Sequence, residues 1–233
     1  MITHINTNAA VTISHVGNEN TPVICMDDFL LDLDFLKQHA VDNAQFYKEP
    51  KSSYPGLRAA LPLEFLRLVS SLIAQPIRNI FHIPDKYHEF VARSDYSLIT
   101  SPPEILRPVQ KIPHADSARI GDFAILLYVN DGDFGGTSFY RHKATGIELR
   151  TDYHEKRSWN SVNRFIHEYE NKNIGFINGS DAHYERISGI AYKANRLVIY
   201  PTTLLHSGDL TLKAINDDPI TGRLTMNVMM VFA

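Results

Sequence analysis

The chain has 233 residues, 44% of them hydrophobic and 21% charged, and its 23 basic and 26 acidic side chains give a formal net charge of −3. This composition is typical of a globular protein and excludes a disordered one, and the balanced charge argues against a nucleic-acid partner. Cys25 is the only cysteine, so a disulfide framework is excluded. The sequence shows neither a secretory signal pattern nor an apolar run of the roughly 18 residues that a membrane span needs. We therefore expect a cytoplasmic protein with no membrane partner.

The hydrophobic pattern before residue 85 predicts two amphipathic helices. Asp32 and Asp34 are candidate N-caps of the first helix. Pro76 is expected to end or kink the second helix, because proline lacks a backbone donor. We interpret residues 1–85 as a helical N-terminal support. The apolar residues at helical spacing are Leu33, Phe35, Leu36, Ala40 and Val41, then Phe65, Leu66, Leu68, Val69, Leu72 and Ile73.

After residue 85 the pattern changes to short segments that are rich in β-branched and aromatic residues and separated by turn signals such as Gly135-Gly136. They predict a mainly β (α+β) protein in which residues 86–233 form an antiparallel β-sandwich or barrel. A helical stripe at residues 155–170 indicates a packing insertion, with a substrate lid as the alternative. Residues 1–233 are expected to form a single domain. The predicted strands are residues 89–92, 96–100, 123–130, 138–140, 196–200 and 224–232.

Two His-x-Asp/Glu tripeptides occur, at His114 to Asp116 and at His183 to Glu185. In an extended segment this spacing places both side chains on one face. An imidazole and a carboxylate on one face are two of the three ligands in the 2-His-1-carboxylate triad that holds Fe(II) in many oxygenases. The tripeptide alone does not choose between the two pairs, and a third ligand is required.

His206 is the candidate third ligand, because it follows the apolar run at residues 197–200 and precedes a Ser-Gly turn. A polar residue at such a strand end suits a site that faces the interior. Further along, Arg223 begins the last apolar strand, and its guanidinium matches a carboxylate in two hydrogen bonds. Thr225 shares its face and Tyr128 offers a phenol to the same anion. The pair at residue 183 is disfavoured, because His183 is close in sequence to His206 and no Gly-Gly strand lies between them.

In their order along the chain, these residues resemble the motifs of the Fe(II)/2-oxoglutarate-dependent dioxygenases, most closely the prolyl-4-hydroxylase-like branch. The resemblance spans residues 114 to 225, about half of the chain. Two further segments resemble an uncharacterised bacterial family of oxygenases of this type. The segments that carry the resemblance are His114-x-Asp116, Leu127-Tyr128-Val129-Asn130, Gly135-Gly136-Thr137-Ser138-Phe139, His206-Ser207-Gly208 and Arg223-x-Thr225, together with Tyr54-Pro55-Gly56-Leu57-Arg58 and Phe139-Tyr140-Arg141-His142.

The resemblance implies a double-stranded β-helix (jelly-roll) core with N-terminal supporting helices. It also implies that iron is held by His114, Asp116 and His206. The cosubstrate 2-oxoglutarate would chelate the metal through its 2-oxo acid end, and its far carboxylate would meet Arg223, Tyr128 and Thr225. The implied activity is a hydroxylase-type reaction that consumes O2 and releases succinate and CO2.

Several alternatives bear on the substrate and the reaction. Asp116 favours oxygen transfer over halogenation, because halogenating relatives lack this carboxylate. Nucleic-acid demethylation is disfavoured, since relatives of that kind carry a second arginine where this chain has Met229. A small molecule and a protein or peptide side chain are both open as substrate, and the sequence does not indicate the oligomeric state. The rival functions are a non-catalytic cupin-like metal-binding or ligand-sensing module and a structural β-sandwich without metal.

Overall fold

The computed structural model describes residues 5–50, 52–152 and 175–233. The helix predicted at residues 155–170 lies outside the described residues. Among the residues that are described, no helix combines the length and the apolar character needed to cross a membrane.

The described residues form ten strands and two α-helices. The strands are β1 (Ala10–Val16), β2 (Thr21–Asp27), β3 (Gly56–Ala60), β4 (Glu89–Ile99), β5 (Asp122–Tyr128), β6 (Thr137–His142), β7 (Tyr184–Ile190), β8 (Leu197–Pro201), β9 (His206–Gly208) and β10 (Thr225–Phe232), and the helices are α1 (Asp34–Asp42) and α2 (Leu63–Phe81).

The strands form a seven-stranded major sheet, in the order β1-β2-β8-β5-β10-β4-β3, and a three-stranded minor sheet, in the order β7-β6-β9. Every pairing between these strands is antiparallel. The prediction of a mainly β protein with antiparallel sheets is therefore confirmed. The arrangement is compatible with a β-sandwich or a jelly roll, and the double-stranded β-helix stays a prediction.

The two faces of the major sheet have different roles. Met226, Val228 and Met230 alternate along β10 and join the core cluster that packs against α1 and α2. From α2, Val69 and Ile77 are fully buried in this cluster, and burial of such side chains stabilises the fold by about 1.5–3 kcal/mol each. The opposite face carries a second cluster that includes residues of β5, β6 and β8. The alternation along β10 therefore leaves Thr225, Asn227 and Met229 for a cavity on that face.

The first 85 residues contain the two predicted helices and also β1, β2 and β3, which were not predicted. The segment is therefore a helical support that also contributes three strands to the major sheet. Strand β1 is exposed along most of its length, and β3 has the sequence Gly-Leu-Arg-Ala-Ala, which lacks β-branched residues. Both strands lie at the edges of the major sheet. An edge strand is less buried than a central one, so its sequence need not show a hydrophobic pattern.

Pro76 does not end the second helix, which continues to Phe81. Proline removes one hydrogen bond of the helix and crowds the preceding turn. The turn that follows is held by packing, because Ile77 is completely buried in the main core. The helix ends instead at His82, which adopts the left-handed conformation with φ of 54°.

A second predicted boundary is wrong. Residues 89–92 and 96–100 were predicted as two strands, but both belong to the single strand β4. Residues 93–95 between them are polar. Arg93 and Asp95 in fact pair with Met229 and Asn227 of β10, next to a register shift between Met229 and Met230, and their side chains pair with each other, Nε to Oδ2 at 2.7 Å. A paired polar residue is tolerated within a strand where an apolar pattern would otherwise be expected.

Replacement of Glu148 by alanine is expected to lower the free energy of unfolding by about 2–4 kcal/mol, because it removes a buried carboxylate that three donors share. The side chain is 1% exposed. Its carboxylate accepts hydrogen bonds from the backbone N–H groups of Asn18 and Glu19, at 3.1 and 3.2 Å, and from Nε of Arg141, at 2.7 Å. Urea denaturation measures the change. Glu185→Ala is the control, since Glu185 is 46% exposed and bonds the same arginine.

The stabilisation from Glu148 is also expected to depend on pH. Burial acts to raise the pKa of Glu148, but the hydrogen bonds from the two backbone groups and from Arg141 lower it below its usual value. A carboxyl group with a lowered pKa in the folded state stabilises that state above the unfolded pKa, and the contribution is lost as the pH falls. The difference between the unmodified protein and Glu148→Gln should therefore shrink below about pH 4. A constant difference from pH 7 to pH 3 would contradict this assignment.

Candidate metal centre

Two reciprocal hydrogen bonds bring His114 and His206 together across the fold. The backbone N–H of His114 donates to the carbonyl of His206 at 2.9 Å, and the N–H of His206 donates to the carbonyl of His114 at 2.8 Å. The N–H of Asp116 donates to the carbonyl of Thr202 at 3.0 Å. The segment before β5 is therefore pinned along the connection from β8 to β9, which closes a separation of ninety residues between Asp116 and His206.

The side chains of these three residues converge. One possible ligand atom from each lies within 4.8 Å of the others. Nε2 of His114 is 3.5 Å from Oδ1 of Asp116, and Nε2 of His206 is 3.5 Å from Oδ2 of the same carboxylate. Two imidazole nitrogens and one carboxylate oxygen in this arrangement match the donor set of a facial triad. The residues present therefore fit a divalent transition metal.

Backbone carbonyls set the orientation of both imidazole rings. Nδ1 of His206 is 2.8 Å from the carbonyl oxygen of Leu204, and Nδ1 of His114 is 3.4 Å from that of Ile112. A carbonyl oxygen only accepts, so each Nδ1 carries the hydrogen and each Nε2 keeps its lone pair for a metal. Such a hydrogen bond on the far side of the ring is usual for histidine ligands.

Charge and exposure distinguish the three residues. His206 is buried, whereas the side chains of His114 and Asp116 are about half exposed, at 50% and 42%. Desolvation acts to raise the pKa of Asp116, but the two imidazoles hold it well below its usual range. Desolvation acts to lower the pKa of His114, and the neighbouring carboxylate more than compensates, so that this pKa is raised. The carboxylate is therefore ionised at neutral pH and ready to bind a cation on the accessible side.

A cavity of about 310 Å³ extends from this cluster along the inner face of the major sheet. Tyr200 lies beside the cluster, with its ring 4.8 Å from the ring of His206 in an edge contact. Arg223 also lines the cavity, and apolar walls complete it. The residues that form these walls include Ile99, Ala124, Leu126, Phe176 and Leu210.

Arg223 is a nearly buried cation, with 5% exposure. Its Nε and Nη2 donate to the carbonyls of Gly135 and Gly136 at 3.3 and 3.5 Å, and its guanidinium carbon lies 5.6 Å from the centre of the Tyr128 ring. The two glycines are required here, because a Cβ on Gly135 would lie 1.4 Å from the carbonyl oxygen of Asp209 and one on Gly136 would lie 1.9 Å from that of Ile190. Within the described part of the chain no carboxylate forms an ion pair with Arg223, so its charge is available to an anionic ligand.

Residues 7–230 match a family of unknown function, DUF6445. The chain belongs to this family. A comparison with curated protein sequences finds no match.

The fold of this DUF6445 protein is shared with a solved structure, HygX from Streptomyces hygroscopicus with nickel and 2-oxoglutarate bound. The two are 13% identical, with a TM-score of 0.52 over 91% of this chain and 84% of HygX. A second HygX structure, with nickel, 2-oxoglutarate and hygromycin B, has a TM-score of 0.48 at 12% identity and covers 94% and 87% of the two chains. An N-substituted L-amino acid dioxygenase from Burkholderia ambifaria AMMD scores 0.40 at 12% identity, covering 98% and 95%. Of these three similarities, only the first, to HygX with nickel and 2-oxoglutarate, shows a shared fold. The prolyl-4-hydroxylase-like branch stays a prediction.

The other two predicted site residues of the DUF6445 protein are Thr225, which lines the cavity, and Tyr128, whose ring lies beside Arg223. Thr225 is buried, and its Oγ1 accepts a hydrogen bond from Nδ2 of Asn227 at 3.0 Å. Tyr128 is also buried, but its hydroxyl is 2.7 Å from Oγ1 of Thr137 and therefore already has a partner. Its role in cosubstrate binding stays a prediction.

The competing pair lies elsewhere in the DUF6445 protein. Glu185 bonds to Arg141 through a 2.7 Å contact with Nη1, and among the described residues the grouping of possible metal ligands contains neither His183 nor Glu185. From the segment at residues 139–142, Phe139 and Tyr140 are buried in two core clusters.

Sequence reasoning assigned no role to two residues that line the cavity, Tyr54 and Tyr200. Tyr200 lies in a strand that was predicted, where an aromatic residue ordinarily indicates packing. Tyr54 belongs to the segment that runs to Arg58, and Arg58 lines the same cavity. The resemblance of that segment to an oxygenase family therefore indicated that the segment is near the site, but it did not indicate what Tyr54 does there.

Proposed function

We propose that this protein is an Fe(II)- and 2-oxoglutarate-dependent oxygenase of the hydroxylase type. The observation that carries the proposal is that His114, Asp116 and His206 converge on a cavity that also contains a buried arginine, Arg223, with no acidic partner among the described residues. A metal site and a carboxylate site in one cavity match the two ends of a 2-oxo dicarboxylic acid. Support also comes from the fold shared with HygX, which was solved with nickel and 2-oxoglutarate bound.

In this proposal each group of residues has a defined part. His114, Asp116 and His206 would hold the metal through one side and leave its other side open to the cavity. Arg223 and Thr225 would orient the far carboxylate of 2-oxoglutarate. The apolar walls would exclude water from the cosubstrate. When bound, the iron and 2-oxoglutarate supply the O2-dependent oxidation, with succinate and CO2 as coproducts.

The finer parts of the proposal concern architecture and substrate. We propose that residues 1–233 form one domain whose sheets build a double-stranded β-helix, in a cytoplasmic enzyme of the prolyl-4-hydroxylase-like branch. The substrate is either a small molecule or a protein or peptide side chain. Nucleic acid and membrane are not proposed as partners, in agreement with the net charge of −3 and with Met229 at the position of a second arginine.

Formation of succinate tests this function. The purified protein is incubated with Fe(II), ascorbate and 2-oxoglutarate in air, with and without pools of amino acids and peptides, and succinate is measured by NMR. We expect succinate above the background set by His206→Ala, and more of it when a substrate is present. Binding of Fe(II) and 2-oxoglutarate without any succinate would contradict the enzyme and favour the non-catalytic cupin-like module.

A further inference from the structure

Three buried polar atoms in one region have no hydrogen bond of ordinary geometry within the described residues: the hydroxyl oxygens of Tyr54 and Ser97, and Nε of Arg58. The Ser97 hydroxyl lies close enough to that of Tyr54 to lower its pKa through a hydrogen bond. Ser97 on β4 is the register partner of Arg58 on β3. The guanidinium carbon of Arg58 lies 4.4 Å from the centre of the Tyr54 ring. Unpaired buried donors destabilise a folded protein, so such a cluster needs an explanation, and a bound group that accepts their hydrogen bonds supplies one.

This cluster adjoins the Arg223 end of the cavity. Ser97 is also the register partner of Thr225 on β10, and its carbonyl is 3.5 Å from Oγ1 of Thr225. Burial raises the pKa of Tyr54, and the positive charge of Arg223, followed by that of Arg58, acts in the opposite direction. The Tyr54 phenol therefore stays protonated at neutral pH and can donate a hydrogen bond beside these cations.

The local sequence explains why Tyr54 and Arg58 reach this place. A Cβ on Gly56 would lie 1.8 Å from the carbonyl oxygen of Leu98, so only glycine permits this approach of β3 to β4. The carbonyl of Pro55 accepts the N–H groups of Thr100 and Ser101, at 3.2 and 3.1 Å. These contacts fix the Tyr54-Pro55-Gly56-Leu57-Arg58 segment against the end of β4.

Arg58 itself is held from two sides. Its Nη1 donates to Oδ2 of Asp95 at 3.0 Å, whereas its Nε lies 3.7 Å from Oε2 of Glu49, beyond hydrogen-bonding distance. The ion pair offsets much of its charge. We therefore assign Arg58 to the support of the Tyr54 ring through a cation–π contact.

We propose that Tyr54 and Ser97 complete, with Arg223 and Thr225, the binding site for the far carboxylate of 2-oxoglutarate. A carboxylate accepts several hydrogen bonds, so one guanidinium and two neighbouring hydroxyls match its oxygens. Tyr54 lines the cavity, whereas the hydroxyl of Tyr128 is 2.7 Å from Oγ1 of Thr137. The segment at residues 54–58 thereby becomes a cosubstrate-binding element, an inference that rests on the proposed function.

The test compares two 2-oxo acids that differ only in the far carboxylate. Iron-loaded protein is titrated without oxygen with 2-oxoglutarate and with 2-oxopentanoate, which has the same chain length and a methyl end, and chelation is followed by visible absorption. We expect Tyr54→Phe to raise the dissociation constant of 2-oxoglutarate roughly 10- to 100-fold and to leave that of 2-oxopentanoate unchanged. Ser97→Ala should act in the same direction, and Tyr128→Phe, as the comparison phenol, should change the ratio less.

Equal dissociation constants in Tyr54→Phe and the unmodified protein would overturn the inference, as would an equal loss for both acids, which indicates a general structural effect. A second arm uses glutarate, which carries the far carboxylate but cannot chelate through a 2-oxo acid. Glutarate should raise the Tm of the metal-free unmodified protein more than that of Tyr54→Phe. Absence of chelation in the unmodified protein together with this glutarate effect would reject the oxygenase and retain the carboxylate site.

Discussion

His114→Ala is expected to lower the affinity for Fe(II) roughly 100-fold or more, whereas His183→Ala is expected to leave it unchanged. The first variant removes one of three converging donors, and the second removes a histidine outside the cluster. The backbone bonds between residues 114 and 206 do not involve the imidazole, so the variant should still fold. Iron retained after anaerobic desalting measures the effect.

The comparison of His114→Ala with His183→Ala decides which of the two histidines binds the metal. If His183→Ala loses iron while His114→Ala keeps it, the assignment of the metal centre is wrong. The melting temperature of each metal-free variant serves as the control for folding.

Arg223→Gln is expected to weaken 2-oxoglutarate binding about 100-fold and to leave Fe(II) binding intact. The substitution removes a buried charge that would face the far carboxylate, and truncation of one partner in such a pair costs about 2–5 kcal/mol. Anaerobic titration of the iron-loaded variant with 2-oxoglutarate gives the dissociation constant. Arg186→Gln is a matched control, because Arg186 bonds Ser138 through Nε at 2.6 Å and is about half exposed.

Equal weakening by Arg223→Gln and Arg186→Gln would contradict a specific role for Arg223. If Arg223→Gln loses iron binding as well as 2-oxoglutarate binding, the cavity is not divided into a metal end and a carboxylate end. The 2-oxopentanoate titration described for Tyr54 applies here too, since it isolates the far carboxylate.

The sequence was sufficient to predict the strands that build the centre of the major sheet and to choose the residues that converge. Strands β5, β8 and β10 are buried over most of their length, so their apolar runs follow from burial on both faces. The spacing of His114 and Asp116, together with the position of His206 after such a strand, selected the three side chains that the structure brings together.

Other elements could not be predicted for physical reasons. Strand β9 has three residues, which is too short to show a period of two. Strand β1 is exposed, so no hydrophobic alternation marks it. Tyr54 reaches the cavity only because Gly56 lets two strands approach closely, a contact between residues more than forty positions apart. Continuation of α2 past Pro76 depends on the tertiary packing of Ile77, which overrides local propensity.

The most direct test of the proposed cofactor chemistry is an anaerobic titration of the metal-free protein with Fe(II) and 2-oxoglutarate. Chelation of Fe(II) by a 2-oxo acid gives a visible charge-transfer absorption. We expect this absorption to appear only when both components are present and to saturate at one equivalent of iron per chain. Absence of the absorption, with no iron retained by the protein, would contradict the oxygenase function.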